Sequence, residues 1–181
     1  AFYNSKLGEF ERYITDYFKF DKFLPMNSGA EAVETAIKIA RKYGYEKRGI
    51  PADKAKIIVA KDNFHGRTTT IVSFSNDEDA RRNFGPYTPG FEAIDYNDIA
   101  ALEAAVSQEN VAAFLVEPIQ GEAGVNTPSD DYIRNAKAVC DKYNVLFIAD
   151  EIQTGIARTG ALLAICGNCD CQGHCERQAT Y

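Results

Sequence analysis

The chain has no sustained run of Lys or Arg, no apolar stretch approaching the roughly 20 residues needed to span a bilayer, and no internal repeat. Its 20 basic and 26 acidic residues give a net charge of -6. Nucleic acids and anionic membranes are bound by clustered cations, so neither is an expected partner, and a small molecule is the better default. The start, Ala1-Phe2-Tyr3-Asn4, lacks an initiator Met, a basic region and an apolar signal core. The natural start is therefore expected upstream, with any targeting segment. Five cysteines do not staple this fold: Cys140 stands alone and the other four crowd the last sixteen residues, which points to a reducing compartment.

What is present is ordinary globular composition, 45% hydrophobic and 25% charged over 181 residues, enough for one domain or a large part of one. Leu7, Phe10, Tyr13, Ile14, Tyr17 and Phe18 recur at helical spacing and predict an amphipathic helix with one buried stripe. A second helix is predicted over residues 30–43, burying Val33, Ala36, Ile37 and Ala40, with Gly44 as its stop. Residues 57–60, 111–116 and 145–149 are short apolar runs of the kind buried on both faces of a parallel sheet. Helical patterns over residues 99–106 and 132–143 lie between them, and residues 74–89 read as a loop or lid-like connection. Strands alternating with helices predict an α/β fold with a mainly parallel sheet flanked by helices. In such sheets ligands collect beyond the carboxyl ends of the strands.

Four segments at those positions carry chemistry. Asn27-Ser28-Gly29-Ala30-Glu31-Ala32 opens a helix, where free amides and the positive end of the helix dipole suit a phosphate; a plain N-cap explains Ser28 equally. Lys61-Asp62-Asn63-Phe64-His65-Gly66-Arg67-Thr68 follows a strand: Phe64 suits stacking on a flat ring and Arg67 suits a two-pronged grip on a carboxylate. A core Phe and a surface ion pair are the alternatives, and His65 reads as a pocket residue. Val116-Glu117-Pro118-Ile119-Gln120-Gly121-Glu122 places two acids in a loop, either tuning a pocket and occupying Arg side chains or simply solvated. In Leu146-Phe147-Ile148-Ala149-Asp150-Glu151-Ile152-Gln153, Asp150 ends an apolar strand, where a carboxylate pairs with a protonated ring nitrogen or caps the next turn.

Taken in order with Phe84-Gly85-Pro86 and Thr154-Gly155, these segments resemble the class III (ω-) aminotransferases of fold type I, which use pyridoxal 5'-phosphate (PLP). The resemblance spans residues 1–160, which it implies are part of the large PLP-binding domain. Residues 161–181 would be a cysteine-rich insertion or connection, with the rest of the large domain and a small C-terminal domain absent. It further implies that Ser28, Gly29 and Ala30 hold the phosphate, Phe64 stacks on the ring, Asp150 meets the pyridine nitrogen and Gln153 lies near the phenolic oxygen. Arg67 would take the substrate α-carboxylate, with Glu117 in the active-site loop and Glu122 as a gating acid. The implied reaction moves the δ-amino group of L-ornithine to 2-oxoglutarate in a homodimer of cytoplasm or mitochondrial matrix; N-acetylornithine or another ω-amino donor is the alternative.

Two departures qualify this. The family's lysine for the cofactor lies in a downstream Gly-Lys-Ala segment, and no lysine follows Lys142, so the chain is expected to be an inactive piece of a longer protein. Cys166, Cys169, Cys171, His174 and Cys175 stand where the family has a short connection; thiolates and an imidazole at this spacing suit Zn²⁺, a redox-responsive loop, or exposed reduced thiols. A non-catalytic metal- or redox-binding scaffold on the same fold is the reading outside enzymes.

Overall fold

The computed structural model describes residues 4–167 and the strand Gln178–Thr180. At its centre five parallel strands lie in the order β2-β1-β3-β4-β5. They are β1 (Lys56–Ala60), β2 (Phe91–Ile94), β3 (Val111–Val116), β4 (Leu146–Ala149) and β5 (Gln178–Thr180). Seven helices are described: α1 (Leu7–Phe18), α2 (Gly29–Lys47), α3 (Thr69–Val72), α4 (Glu78–Arg81), α5 (Ile99–Val106), α6 (Tyr132–Lys142) and α7 (Ala164–Gly167). The predicted α/β class with a parallel sheet is what the chain forms.

Side chains of successive strand residues point to opposite faces, and both faces of β3, β4 and most of β1 are covered, so these strands read as apolar runs rather than alternating. Ile57 and Val59 of β1, Ala113 and Leu115 of β3 and Ile148 of β4 pack with Val33, Ala36, Ile37 and Ala40 of α2. Their neighbours Ile58, Ala60, Phe114, Val116, Phe147 and Ala149 pack on the other face with Leu102 and Val106 of α5 and Ile133, Ala136 and Cys140 of α6. All six residues of β3 are buried, as a central strand requires. Each large side chain removed from water in these two layers contributes about 1.5–3 kcal/mol before entropy is counted. Burial also pushes the Cys140 thiol up to about 12, so it behaves as a small apolar core group.

Several expectations are corrected. Gly44 does not stop α2, which runs on to Lys47. It is buried inside the helix because a Cβ there would come within 3.0 Å of both Ala112 Cβ and Ile50 Cδ1; close approach to β3, not termination, selects glycine. The stripe on α1 is not buried: no residue of that helix is, and Phe10, Tyr13 and Tyr17 are half exposed. Only its C-terminal end reaches the layers over the sheet, through Phe18 and the following Phe20. Residues 74–89 are not wholly loop, since Phe74 is buried and α4 forms with Asp77 as its cap, the carboxylate accepting from the Asp79 N–H at 2.9 Å. β2 and β5 were not predicted. Among the described residues no helix is long and apolar enough to cross a membrane.

Candidate functional site

The segments singled out in sequence meet at the carboxyl ends of β1, β3 and β4. Asp150 follows β4 directly, and its own N–H continues the ladder to Val116 O at 2.9 Å. The side chain is 6% exposed. The capping reading of it holds, since Oδ1 accepts the Ile152 N–H at 3.1 Å, and Oδ2 lies 2.6 Å from His65 Nδ1. A proton on Nδ1 makes this a charge-assisted bond to a buried carboxylate. The imidazole is fully enclosed, its Nε2 has no partner among the described residues, and it packs against Phe74 with ring centres 6.0 Å apart.

Glu117 follows β3 and is nearly as buried. Its Oε2 accepts the Phe64 N–H at 2.9 Å, linking the β3 loop to the β1 loop. Burial pushes its carboxyl up to about 7, against the opposing pull of His65 and the Phe64 N–H and with some help from Asp150 and Glu122. The loop carrying it is well anchored. Tyr96 Oη donates to Pro118 O at 2.9 Å, Gln120 is buried and donates to Lys61 O at 2.6 Å, and Gln120 pairs with Asn126 as an antiparallel bridge.

The N-terminus of α2 arrives from the other side. Ser28 caps it, its hydroxyl accepting the Glu31 N–H at 3.3 Å, while Glu31 Oε2 accepts the Asn27 N–H at 2.8 Å. Gly66, with φ of +122°, turns the chain so closely past α2 that a Cβ there would lie 2.9 Å from Ala30 Cβ.

Two adjoining cavities result. The inner one, ≈ 120 Å³, is lined by Gly29, Ala30, Phe64, Glu117, Asp150 and Gln153, with His65 and Gly66 beside them. The outer one, ≈ 820 Å³, includes Phe64, Arg67, Asp77, Asp79, Phe84 and Glu122 in its walls. Phe64 is 39% exposed and so is not a core residue. Arg67 lies over its ring, 5.5 Å from the centre, and makes no ion pair among the described residues, which leaves its guanidinium edge for a carboxylate. Gln153 Nε2 donates to Glu122 Oε1 at 2.7 Å, joining the walls of the two cavities. Of the residues expected to hold cofactor or substrate, Ser28 alone lines neither cavity; its hydroxyl is spent on the cap.

Sequence reasoning missed the pairing of His65 with Asp150, the anchoring by Tyr96 and Gln120, and buried Glu151, whose carboxylate accepts the Ile165 N–H at 2.9 Å and the Thr154 hydroxyl. Adjacency of His65 to Phe64 was a signal for the first; nothing in spacing marks the others. Cys169, Cys171, His174 and Cys175 lie outside the described residues, and Cys166 is half-buried at the edge of them. Among the described residues no group of His, Cys, Asp and Glu is arranged to hold a metal.

The chain belongs to the class-III aminotransferases, whose family model matches residues 1–170. Among its relatives, the mitochondrial ornithine aminotransferase of Drosophila melanogaster is 58% identical over 91% of this chain and 38% of its own length. The ornithine aminotransferase structure from Toxoplasma gondii superposes with a TM-score of 0.91 at 53% identity, covering 93% of this chain and 40% of that one. An acetylornithine aminotransferase from Elizabethkingia anophelis is 63% identical, with a TM-score of 0.78 over 93% of this chain and 41% of that one. The chain thus spans about two fifths of the length of the proteins it matches.

Proposed function

We propose that the protein is a PLP-dependent ω-aminotransferase that moves the δ-amino group of L-ornithine to 2-oxoglutarate, giving glutamate semialdehyde and glutamate. The observation that carries this is the buried Asp150 carboxylate in the wall of the inner cavity. With it stand the α2 N-terminus, the face of Phe64 and the Gln153 amide, a set that matches a phosphate, a flat ring, a protonated ring nitrogen and a phenolic oxygen. PLP bound there supplies an electron sink for the pair released when a C–H bond beside the amine breaks. Partial occupancy of PLP at the active site describes the Toxoplasma gondii relative.

In this reading the backbone amides of Gly29 and Ala30 at the head of α2 hold the phosphate, with Ser28 fixing their orientation through the cap. Asp150 keeps the ring nitrogen protonated, and His65 holds Asp150 in place. Arg67 takes the substrate α-carboxylate in a two-pronged grip, and Glu122 supplies a negative wall for a substrate ammonium. Glu117, which changes charge near neutral pH, holds or releases a proton at Oε1, the oxygen not engaged by Phe64.

Residues 1–160 would be part of the large domain of a longer protein that works as a homodimer. The mitochondrial matrix is the compartment this reading favours, since the Drosophila melanogaster and Rattus norvegicus relatives are named mitochondrial. A second reading, N-acetylornithine as the donor, is favoured by the 63% identity to the Elizabethkingia anophelis protein. Steady-state assay of the full-length protein with each donor decides: a kcat/KM higher for ornithine supports the first reading, and one higher for N-acetylornithine replaces it with the second.

A further inference from the structure

Phe64, His65 and Gly66 line both cavities and Arg67 lines the outer one, yet this span belongs to no helix or strand, so backbone periodicity does not place it. Contacts from other elements do. Glu117 holds the Phe64 N–H, Asp150 holds the His65 imidazole, and Gly66 is wedged against Ala30. Arg67 is exposed and rests its guanidinium over the Phe64 ring, so the far end of its backbone is set by the residue that follows. That residue, Thr68, is gripped twice. Its hydroxyl donates to Glu34 Oε1 at 2.5 Å and accepts the Ile71 N–H at 3.2 Å, one hydroxyl supplying both bonds. Glu34 stands in the second turn of α2, the helix whose head lines the inner cavity, and buried Ile71 packs in the layer formed by Val33, Ala36 and Ile37 of that helix. A half-buried carboxylate is costly unless bonded, which gives the Glu34–Thr68 pair more weight than a surface contact. Neither residue lines either of the two cavities.

We propose that Thr68 and Glu34 are positioning residues for Arg67: their hydrogen bond straps the backbone beside Arg67 to α2 and so holds the guanidinium ready for a carboxylate. The inference rests on the reading above in which Arg67 takes a ligand carboxylate. The Phe64 ring under the guanidinium is fixed from one side by Glu117, and the strap fixes the Arg67 backbone from the other. A long side chain loses rotamer freedom when it grips a ligand, and one already held loses less, so the strap raises carboxylate affinity without touching the ligand. One rigid helix then places both ends of the site: its head, Gly29 and Ala30, at the inner cavity, and Arg67, through Glu34 and Thr68, at the outer one.

Thr68→Val removes the hydroxyl at nearly constant volume, Thr68→Ser keeps it, and Glu34→Leu removes the acceptor from the other side. These variants, Arg67→Ala and the double Thr68→Val/Arg67→Ala are compared with wild type in the full-length protein. Calorimetry gives the affinity for glutarate, a carboxylate probe with neither amine nor ketone, and the dissociation constant for PLP and the KM and kcat of amino transfer are measured beside it. Thr68→Val and Glu34→Leu should each weaken glutarate roughly fivefold to tenfold, the scale of ordering one long side chain on binding. Both should raise KM and leave kcat and the PLP dissociation constant unchanged, since what is lost is binding common to ground and transition states. Thr68→Ser should bind glutarate as wild type does. The double should bind it no more weakly than Arg67→Ala, because a residue that acts only through Arg67 has no effect once Arg67 is gone. Wild-type glutarate affinity in Thr68→Val or Glu34→Leu, a double weaker than Arg67→Ala, or PLP lost in step with glutarate would overturn the proposal. Wild-type affinity in Arg67→Ala would remove the carboxylate reading of Arg67 and the proposal together. The expected glutarate pattern in a wild type without amino transfer would remove the transaminase reading and leave the strap standing.

Discussion

Replacing Glu117 by Gln should make the protein's stability less dependent on pH, and the size follows from the burial of that carboxyl. Its ordinary value of 4.5 is raised to about 7 in the folded chain. At ~1.4 kcal/mol per pH unit, ionising it costs the folded state about 3 kcal/mol. The sign is set by which state holds the proton more tightly. Between 4.5 and about 7 the folded chain keeps it and the unfolded chain does not, so stability falls as pH rises through that window and is level in this respect above it. Gln cannot titrate, and its amide oxygen can still accept the Phe64 N–H. Urea denaturation of wild type and Glu117→Gln, both free of cofactor, at pH 4 and pH 8 isolates this group, because all other titrations are common to the two proteins. The difference in unfolding free energy should move by about 3 kcal/mol in favour of the variant between the two pH values. Equal pH dependence in the two would refute the claim that Glu117 is held protonated by burial.

Other expectations test the frame around it. Gly44→Ala, which by helix propensity alone should gain about 1 kcal/mol, should instead lose about 1–3 kcal/mol in thermal or chemical denaturation, because its Cβ meets Ala112 and Ile50 at 3.0 Å. Leu102→Ala should cost about 2–5 kcal/mol by the same measurement, since Leu102 is fully enclosed between α5 and the sheet. His65→Leu removes the donor to a buried carboxylate and should cost about 1–3 kcal/mol together with a measurable rise in the dissociation constant for PLP; a change in neither would show that Asp150 needs no support from His65.

The parallel sheet was legible because β1, β3 and β4 are buried on both faces and so read as unbroken apolar runs. β2, Phe91-Glu92-Ala93-Ile94, was not, because an edge strand with a single buried residue carries no such run. Gly44 misled because the residue that ends helices is also the residue that lets a helix approach a strand, and the choice is made by Ala112, 68 positions away. The residues of the site were legible as types: an acid, an aromatic and an Arg, each just past a strand. Their arrangement into an inner and an outer cavity was not, since Gln153 reaches Glu122 from a different loop and His65 reaches Asp150 across 85 residues. The α1 stripe was read correctly as amphipathic, but periodicity says only that a face is apolar, not what lies against it.

The most direct test is on Asp150. The full-length protein, its Asp150→Ala variant and its Asp150→Asn variant are purified with PLP, dialysed, and their bound cofactor measured by absorbance, with amino transfer from ornithine to 2-oxoglutarate followed in parallel. Wild type should retain PLP and transfer. Both variants should lose transfer, because neither keeps the ring nitrogen protonated, and Asp150→Ala should also lose most of its cofactor. Undiminished PLP retention and transfer in Asp150→Ala would contradict the assignment of the inner cavity.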